Sequence, residues 1–353
     1  MTRACSDRPT GNLRAGGYHA PMNARRFPST VIAVIAIAAP LLGAQPPQPP
    51  AATETTAAAI AGVIAAGTKI EVIKSGFTGT EGPIGLPDGS VIFTETQANR
   101  ITRIDKDTNQ TSTFLENTNG SNGLAWDAKG RLLSVQTTPG AARIGVIYPK
   151  GSETTITDGF EGKPYGRPND LVVSKTGHIY FTEPGPNATP GQPSPKPPLA
   201  PAVYHVDPAG KVSKVAEGIA RPNGIMLSPD EKTLYVNDTS GETMLAFDVT
   251  ANGATGNRRN FAKYPNVTKG ADGTPNSGAD GLAVDSEGRL YCAALGGVQV
   301  FSPKGEHLGT IPVSLQPQNL AFAGPDKKTL YIVGRGSAFK VRVLTAGFAG
   351  RAK

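Results

Sequence analysis

The stretch of sequence that decides the fold is GTEGPIGLPDGSVIFTE, residues 79–95. It contains two short apolar runs, residues 84–86 and 91–93, separated by Asp88-Gly89, a dipeptide typical of tight hairpin turns. An acid, Glu81, stands just before Gly82-Pro83 at the entrance to the hairpin. The stretch therefore predicts a β-hairpin, but a single copy gives no reason for a carboxylate beside strands whose composition favours burial.

The same pattern recurs five more times along the chain. Each copy has an acid or amide, an apolar run, a polar turn, and a second run rich in Leu, Tyr, Phe, Val and Ile. The copies are NGLAWDAKGRLLSVQ from Asn122, NDLVVSKTGHIYFTE from Asn169, NGIMLSPDEKTLYVND from Asn223, DGLAVDSEGRLYCAA from Asp280 and NLAFAGPDKKTLYIV from Asn319. Successive copies start 41, 47, 54, 57 and 39 residues apart, close to the roughly 40 residues of a propeller blade. The sequence predicts an all-β fold, a six-bladed β-propeller of four-stranded antiparallel blades around a central channel.

Three segments are predicted along the chain, and the propeller fills the last of them, residues 68–350. Residues 45–67, rich in proline and then in alanine, predict a linker that ends in a short helix. Residues 1–44 are expected to be a leader, with a signal peptide at 22–44: Arg25-Arg26, then an apolar run, then small residues. The apolar run, residues 31–42, is short for a membrane span. We therefore expect export to the periplasm or the exterior, with no stable membrane span after cleavage.

Charge and cysteine content exclude several classes of partner and site. The formal charge is +7, and residues 1–44 contribute +4 of it, from five arginines and one aspartate, which leaves +3. Acids and bases are interspersed in the remainder, so nucleic acid is not an expected partner. Cys292 is the one cysteine after the leader, which excludes an internal disulfide and a cysteine-based metal site. The sequence gives no indication of the oligomeric state.

Equivalent positions of successive blades surround one axis, so the residues that open the inner strands are expected to form a ring. Every member carries a side-chain oxygen; the members are Glu81, Asn122, Asn169, Asn223, Asp280 and Asn319. Asn and Asp before Gly are also common turn residues, and that alternative accounts for any single member. Two carboxylates facing one axis would repel each other unless a cation lies among them, and an all-oxygen set suits Ca²⁺. The ring therefore predicts a divalent-metal site.

Five motifs occur in order at blade spacing: EGP at 81–83, GRPND at 166–170, RPNG at 221–224, GADGLAVDSEGRLY at 278–291 and NLAFAGPDKKTLYI at 319–332. On these motifs the chain resembles the gluconolactonase and senescence-marker-protein (regucalcin) family of six-bladed propellers, over the whole chain after the linker. The resemblance implies a divalent-metal site, usually calcium, formed by Glu81, Asn223 and Asp280. Zn²⁺, Mg²⁺ and Mn²⁺ are the alternative metals.

The resemblance also implies roles for residues beside the metal. Asn169 is expected to contact the metal, metal-bound water or the substrate, and Arg167 the substrate; we expect Asn122 to contact the substrate as well. One departure from the family pattern is Glu183-Pro184, where the family often has Asp-Pro.

The expected activity is hydrolysis of a lactone or other ester, with the metal as Lewis acid. The expected substrate is a small-molecule lactone or sugar acid. Asp280 is the first candidate for the base that deprotonates water; Glu81 and a metal-bound water are the alternatives. A serine hydrolase is disfavoured, because no G-x-S-x-G motif occurs. Two other hypotheses remain open: a non-catalytic extracytoplasmic binding or scaffold propeller with a structural metal, and strictosidine-synthase-like chemistry on the same fold.

Overall fold

A computed structural model describes residues 50–186 and 196–350. Within these ranges the regular structure is entirely β, and six antiparallel blades of four strands form a propeller; the sheet of one blade carries a short fifth strand at its edge. This confirms the predicted all-β, six-bladed fold. The same ranges contain no helix long and apolar enough to cross a membrane. The predicted leader at 1–44 lies outside the described residues.

Two strands precede the first blade, β1 (Thr55–Thr56) and β2 (Lys69–Ser75). Blade 1 consists of β3 (Thr80–Gly85), β4 (Val91–Glu95), β5 (Arg100–Ile104) and β6 (Thr111–Glu116). Blade 2 consists of β7 (Ser121–Trp126), β8 (Leu132–Gln136), β9 (Arg143–Tyr148) and β10 (Thr154–Thr157). A two-stranded ribbon follows, made of β11 (Gly159–Phe160) and β12 (Lys163–Pro164).

Blades 3 and 4 consist of β13 (Leu171–Val173), β14 (Ile179–Glu183), β15 (Ala202–Val206) and β16 (Val212–Glu217), and of β17 (Pro222–Leu227), β18 (Thr233–Asp238), β19 (Thr243–Val249) and β20 (Thr255–Lys263). A second ribbon, β21 (Thr268–Lys269) and β22 (Pro275–Asn276), precedes blade 5. Blade 5 holds β23 (Leu282–Val284), β24 (Leu290–Ala294), β25 (Gly297–Phe301) and β26 (His307–Ile311), and β27 (Asn319–Ala323), β28 (Thr329–Gly334) and β29 (Ser337–Arg342) begin blade 6.

The sixth blade joins the two ends of the repeat region. Strand β2 pairs antiparallel with β29, with Glu71 opposite Lys340 and Ser75 opposite Ser337, and so supplies the outer strand of that blade. Because the hydrogen bonds of one sheet connect residues far apart in sequence, they hold the ring of blades closed. The hairpin repeat indicated six blades but not which strand completes the last one.

The described part of the expected linker, residues 50–67, packs against the propeller. Strand β1 pairs with β2, and Ala57, Ile60, Val63 and Ile64 are buried in an apolar cluster with side chains of blades 5 and 6. No helix forms there; Ile60 and Ile64 make an isolated β-bridge instead. The alanine-rich composition suggested a helix, but burial of its few large apolar side chains against the sheet favours a turn.

The inner strands surround the central axis at close range. Each inner strand contacts the next around the ring, in the order β3, β7, β13, β17, β23, β27 and back to β3. Glycine after a ring residue allows this approach: a Cβ on Gly224 would lie 2.0 Å from the backbone oxygen of Asp280. The glycines of the repeat therefore follow from the space at the axis.

Candidate active site at the central ring

The structure brings the predicted ring residues together at the start of the inner strands. Glu81, Asn122 and Asn223 lie inside β3, β7 and β17, and Asn319 begins β27. Asn169 and Asp280 each lie two residues before the first residue of their strand, β13 and β23 respectively. All are buried except Asp280, which is partly exposed as a residue although its Oδ1 is buried.

Glu81 is held by two amides of blade 6. Gln318 Nε2 donates to Glu81 Oε1 at 3.2 Å, and Asn319 Nδ2 donates to Glu81 Oε2 at 3.3 Å. Despite these bonds, burial raises the pKa of Glu81 from 4.5 to about 7. Asn319 therefore orients the glutamate, and Gln318, which the sequence pattern did not single out, does the same.

Asn223 presents an unbonded oxygen because its amide nitrogen is fixed elsewhere. Its Nδ2 donates to Thr239 Oγ1 at 3.0 Å, and Thr239 Oγ1 donates in turn to the backbone oxygen of Ala279 at 2.7 Å. The Oδ1 of Asn223 is buried and has no hydrogen-bond partner. The hydrogen bond to Thr239 thus selects the orientation in which an oxygen, not an NH₂ group, is available as a ligand.

Asp280 and Asn122 also carry unpartnered polar atoms. Among the residues that the structure describes, five buried side-chain polar atoms lack a hydrogen-bond partner, and four of the five belong to ring residues, namely Asn122 Oδ1 and Nδ2, Asn223 Oδ1 and Asp280 Oδ1. Burial first, and then the charge of Glu81, raises the pKa of Asp280 well above its usual range. Buried polar atoms are almost always hydrogen-bonded, so this concentration at one place indicates a ligand site.

The donor set fits a hard divalent cation. Glu81 and Asp280 supply two carboxylates whose charges disfavour each other, and Asn223 adds a neutral oxygen, the combination that Ca²⁺ accepts. Over residues 50–186 and 196–350, no cluster of three His, Cys, Asp or Glu side chains suited to a metal occurs. A site here would therefore depend on the amides as well as on the two acids.

Side chains on the second strand of a blade position the ring residue of the following blade. Thr94 Oγ1 donates to the backbone oxygen of Asn122 at 3.0 Å, and Thr182 Oγ1 donates to that of Asn223 at 2.7 Å. Asn237 Nδ2 donates to the backbone oxygen of Asp280 at 2.5 Å. The sequence analysis missed these three residues, although Thr94 and Thr182 share the Phe-Thr-Glu ending of β4 and β14.

Five charged side chains act on one another at this end of the channel. Besides burial, the charges of Glu81 and then Asp170 raise the pKa of Asp280. The charges of Arg167 and Arg221 lower it. Arg167, predicted to contact substrate, and Arg221, which was not singled out, also act on each other. Asp170 is fully buried, and its Oδ1 accepts a bond from the Leu171 backbone N–H at 2.9 Å.

Asn169, the remaining predicted ligand, is buried, and its backbone is bonded both to the second strand of its own blade and to the inner strand of blade 2. Its N–H donates to the backbone oxygen of Thr182 at 2.8 Å, and its oxygen accepts from the Gly123 N–H at 3.0 Å. These bonds fix the backbone from which its side chain projects.

These observations define a six-bladed propeller whose ring of inner-strand residues combines carboxylates and amides, with arginines beside it. Residues 79–335 match the family model described as the SMP-30/gluconolactonase/LRE-like region. The chain belongs to this family, as its motifs implied. The matched region begins two residues before Glu81 and includes every ring residue.

Named relatives and a solved structure agree with the family. A gluconolactonase of Zymomonas mobilis is 31% identical over 302 residues, which cover 79% of this chain and 83% of that protein. A pentonolactonase of Haloferax volcanii is 27% identical over 262 residues, 72% of this chain and 81% of that one. The solved structure of a gluconolactonase from Xanthomonas campestris superposes with a TM-score of 0.66 at 27% identity, covering 78% of this chain and 90% of that chain.

Proposed function

We propose that this chain is a lactonase that requires a divalent cation, most consistently Ca²⁺, and opens a small sugar lactone to its hydroxy acid. The observation that carries the metal dependence is the concentration of unpartnered buried atoms on Asn223 and Asp280 beside Glu81. Support for lactone hydrolysis comes from the family and from relatives named for that reaction.

Different residues of the site would bind the cation and the substrate. Glu81, Asn223 and Asp280 would hold the cation, with Asn169 beside them. The cation, when bound, supplies Lewis-acid stabilisation of the negative charge that develops on the lactone carbonyl oxygen. Arg167 and Asn122 would orient the substrate; both polar atoms of the Asn122 amide are buried without a partner, so a substrate hydroxyl can bond either one.

Asp280 is the proposed general base. Its carboxylate takes a proton from the attacking water as the oxygen of that water bonds to the carbonyl carbon. The bond between the carbonyl carbon and the ring oxygen then breaks, and the same proton returns to the ring oxygen, which leaves as the hydroxyl of the product acid. Burial and the charge of Glu81 favour protonation of Asp280, which opposes the lowering of basicity that a nearby cation causes. Glu81 is the less suitable base, because two amides already bond its oxygens.

The test is acid release from a panel of sugar lactones, followed with the purified protein before and after chelation. Chelation is expected to lower kcat/KM at least roughly 100-fold, with recovery on adding Ca²⁺. Asp280→Asn is expected to lower kcat by roughly 10²–10⁴-fold, the contribution typical of a general base. The matched control is Asp272→Asn, an exposed acid in the turn between β21 and β22, which should leave the rate unchanged.

Three outcomes would contradict parts of this proposal. Hydrolysis by Asp280→Asn at the parent rate would exclude Asp280 as the base. Full activity after chelation, with no divalent cation remaining on the protein, would exclude the metal dependence. Stoichiometric metal binding without hydrolysis of any lactone would favour the alternative of a non-catalytic binding or scaffold propeller.

Export is the second part of the proposal and depends on the sequence of residues 22–44, which lie outside the described residues. Fractionation of cells that express the full chain tests it: the protein should leave the cytoplasm and lose its leader. A protein of full length retained in the cytoplasm would refute export without bearing on the lactonase activity.

A further inference from the structure

The position two residues before each ring residue differs between blades 3 and 4 and the other four blades. In four blades it is a residue without a functional group, and in blades 3 and 4 it is arginine; in blade order the residues are Gly79, Gly120, Arg167, Arg221, Gly278 and Pro317. Both arginines occur in the same tripeptide, Arg-Pro-Asn, and the two blades are consecutive. The two arginines therefore occupy equivalent positions of neighbouring blades, next to each other around the ring.

A carboxylate fixes the backbone of each arginine in the same way. The Arg167 N–H donates to Glu183 Oε1 at 3.0 Å, and the Arg221 N–H donates to Asp238 Oδ1 at 2.9 Å. Glu183 and Asp238 are the last residues of β14 and β18, the second strands of their blades. Gly166 N–H also donates to Glu183, at 3.1 Å. The repeated arrangement holds both arginine loops rigidly against the ring, and proline after each arginine restricts them further.

The two arginines are electrostatically coupled to each other and to the catalytic ring. Arg221 is mostly buried. Burial, and then the charge of Arg167, lowers the pKa of its guanidinium group, whereas the charge of Asp280 raises it. The acids of this region are Glu81, Asp170 and Asp280, together with Glu183 and Asp238 on the arginine backbones. The proposed cation and the two arginines offset four of these five formal charges, so an anionic substrate would depend on the guanidinium groups for its contacts rather than on an overall positive site.

A neutral lactone does not require a second arginine. Its carbonyl oxygen is stabilised by the cation, and its hydroxyls can bond Asn122 and Arg167. Two arginines on neighbouring blades suit an anion, because each planar fork can make two parallel charge-assisted bonds to a carboxylate or phosphate. Desolvation at the partly buried rim makes such bonds stronger than they would be on an open surface.

We propose that Arg167 and Arg221 form a two-arginine clamp that selects lactones carrying an anionic substituent, chiefly the free carboxylate of a lactone derived from a sugar diacid. This inference rests on the proposed lactonase function and specifies its substrate class. Both arginines act on Asp280, but Arg167 is also expected to orient every substrate, so replacement of Arg221 is the better test of discrimination between anionic and neutral substrates.

The test compares two lactones of the same ring, glucono-δ-lactone and a glucarolactone that bears a carboxylate, with a phosphorylated gluconolactone as a third arm. Arg221→Gln is expected to raise KM for the glucarolactone roughly 10- to 100-fold, the effect of losing a charge-assisted bond. Its kcat/KM for the neutral lactone should fall by a smaller factor than that for the glucarolactone, because the neutral substrate loses no charge-assisted bond. Arg221→Lys should recover part of the loss, because it restores the charge without the fork. Arg259→Gln, which removes an exposed arginine paired with Asp248 on the outer strand of blade 4, is the matched control.

A binding measurement keeps the clamp testable apart from turnover. Calorimetric titration with the diacid glucarate and the monoacid gluconate is expected to show tighter binding of the diacid, and this preference should disappear in Arg221→Gln. If the protein hydrolyses no lactone, the proposed function fails, and the titration alone decides on the clamp. Equal binding of the two acids by the parent protein, or equal loss of neutral and anionic turnover in Arg221→Gln, would overturn the inference. A preference for the phosphorylated lactone over the glucarolactone would overturn the choice of carboxylate.

Discussion

Glu81 destabilises the metal-free protein at alkaline pH, and its replacement by glutamine tests this directly. The pKa of Glu81 rises from 4.5 to about 7 because the carboxylate is buried. One pKa unit corresponds to about 1.4 kcal/mol, so full ionisation at pH 8 lowers the free energy of unfolding by about 3 kcal/mol. An acid with a raised pKa releases its proton on unfolding. The stability is therefore intact below about pH 4.5 and is lost as the pH rises towards about 7.

Glu81→Gln removes this loss but disturbs two hydrogen bonds. The two oxygens of Glu81 accept from Gln318 and Asn319, and glutamine has a single oxygen, so one donor loses its partner at a cost of about 1 kcal/mol. The net expectation in chelator at pH 8 is a gain of about 2 kcal/mol, or roughly 4–8 °C in Tm for a domain of this size. At pH 4.5 the gain should be absent, because the parent glutamate is then protonated in the folded state.

Calcium is expected to reverse the order of stability. At a concentration 100 times its Kd, a cation that binds only the folded state adds about 2.7 kcal/mol, and the parent protein should gain this while Glu81→Gln gains far less. Calorimetry at pH 8 and pH 4.5, with chelator and with Ca²⁺, measures the stability of the parent and of Glu81→Gln under each condition. Glu116→Gln, on the exposed edge of β6, is the control. A variant less stable than the parent in chelator at pH 8 would refute the reasoning that burial of this carboxylate is unfavourable.

Two further predictions concern the scaffold. Gly224→Ala places a Cβ 2.0 Å from the backbone oxygen of Asp280 and should lower the free energy of unfolding by about 3 kcal/mol or more. In the control Gly256→Ala, a Cβ meets nothing within 4 Å, so the free energy of unfolding should change little. Equal effects of the two variants in denaturant titrations would contradict the close approach. His178 Nδ1 and His205 Nε2 lie 2.8 Å apart, and burial and then His178 lower the pKa of His205. The neutral form of His205 is thus favoured in the folded state, so the stability present above about pH 6.5 should be lost on acidification. In His205→Gln the Tm should therefore change less between pH 7.5 and 5.5 than in the parent protein. A variant whose Tm depends on pH as steeply as that of the parent would exclude this pair as the cause.

The sequence alone determined the blade count and the identity of the ring. Alternation of apolar runs and polar turns is a local property, and its six-fold recurrence at blade spacing permitted a single architecture. Because equivalent positions of a repeat share one place in the fold, Glu81, Asn223 and Asp280 could be grouped without coordinates. The structure places all three at the axis, at or immediately before the inner strands.

What only the tertiary structure decided depends on contacts between residues distant in sequence. Examples are the pairing of β2 with β29, the burial of Val63 in the segment expected to be a linker, and the bond from Gln318 to Glu81. The coupling of Arg221 with Arg167 belongs to the same group. None of these is encoded by a local period, because each depends on how neighbouring blades meet. The repeat specifies which residues reach the axis, and the packing of the blades fixes the orientation, partners and charge of each one.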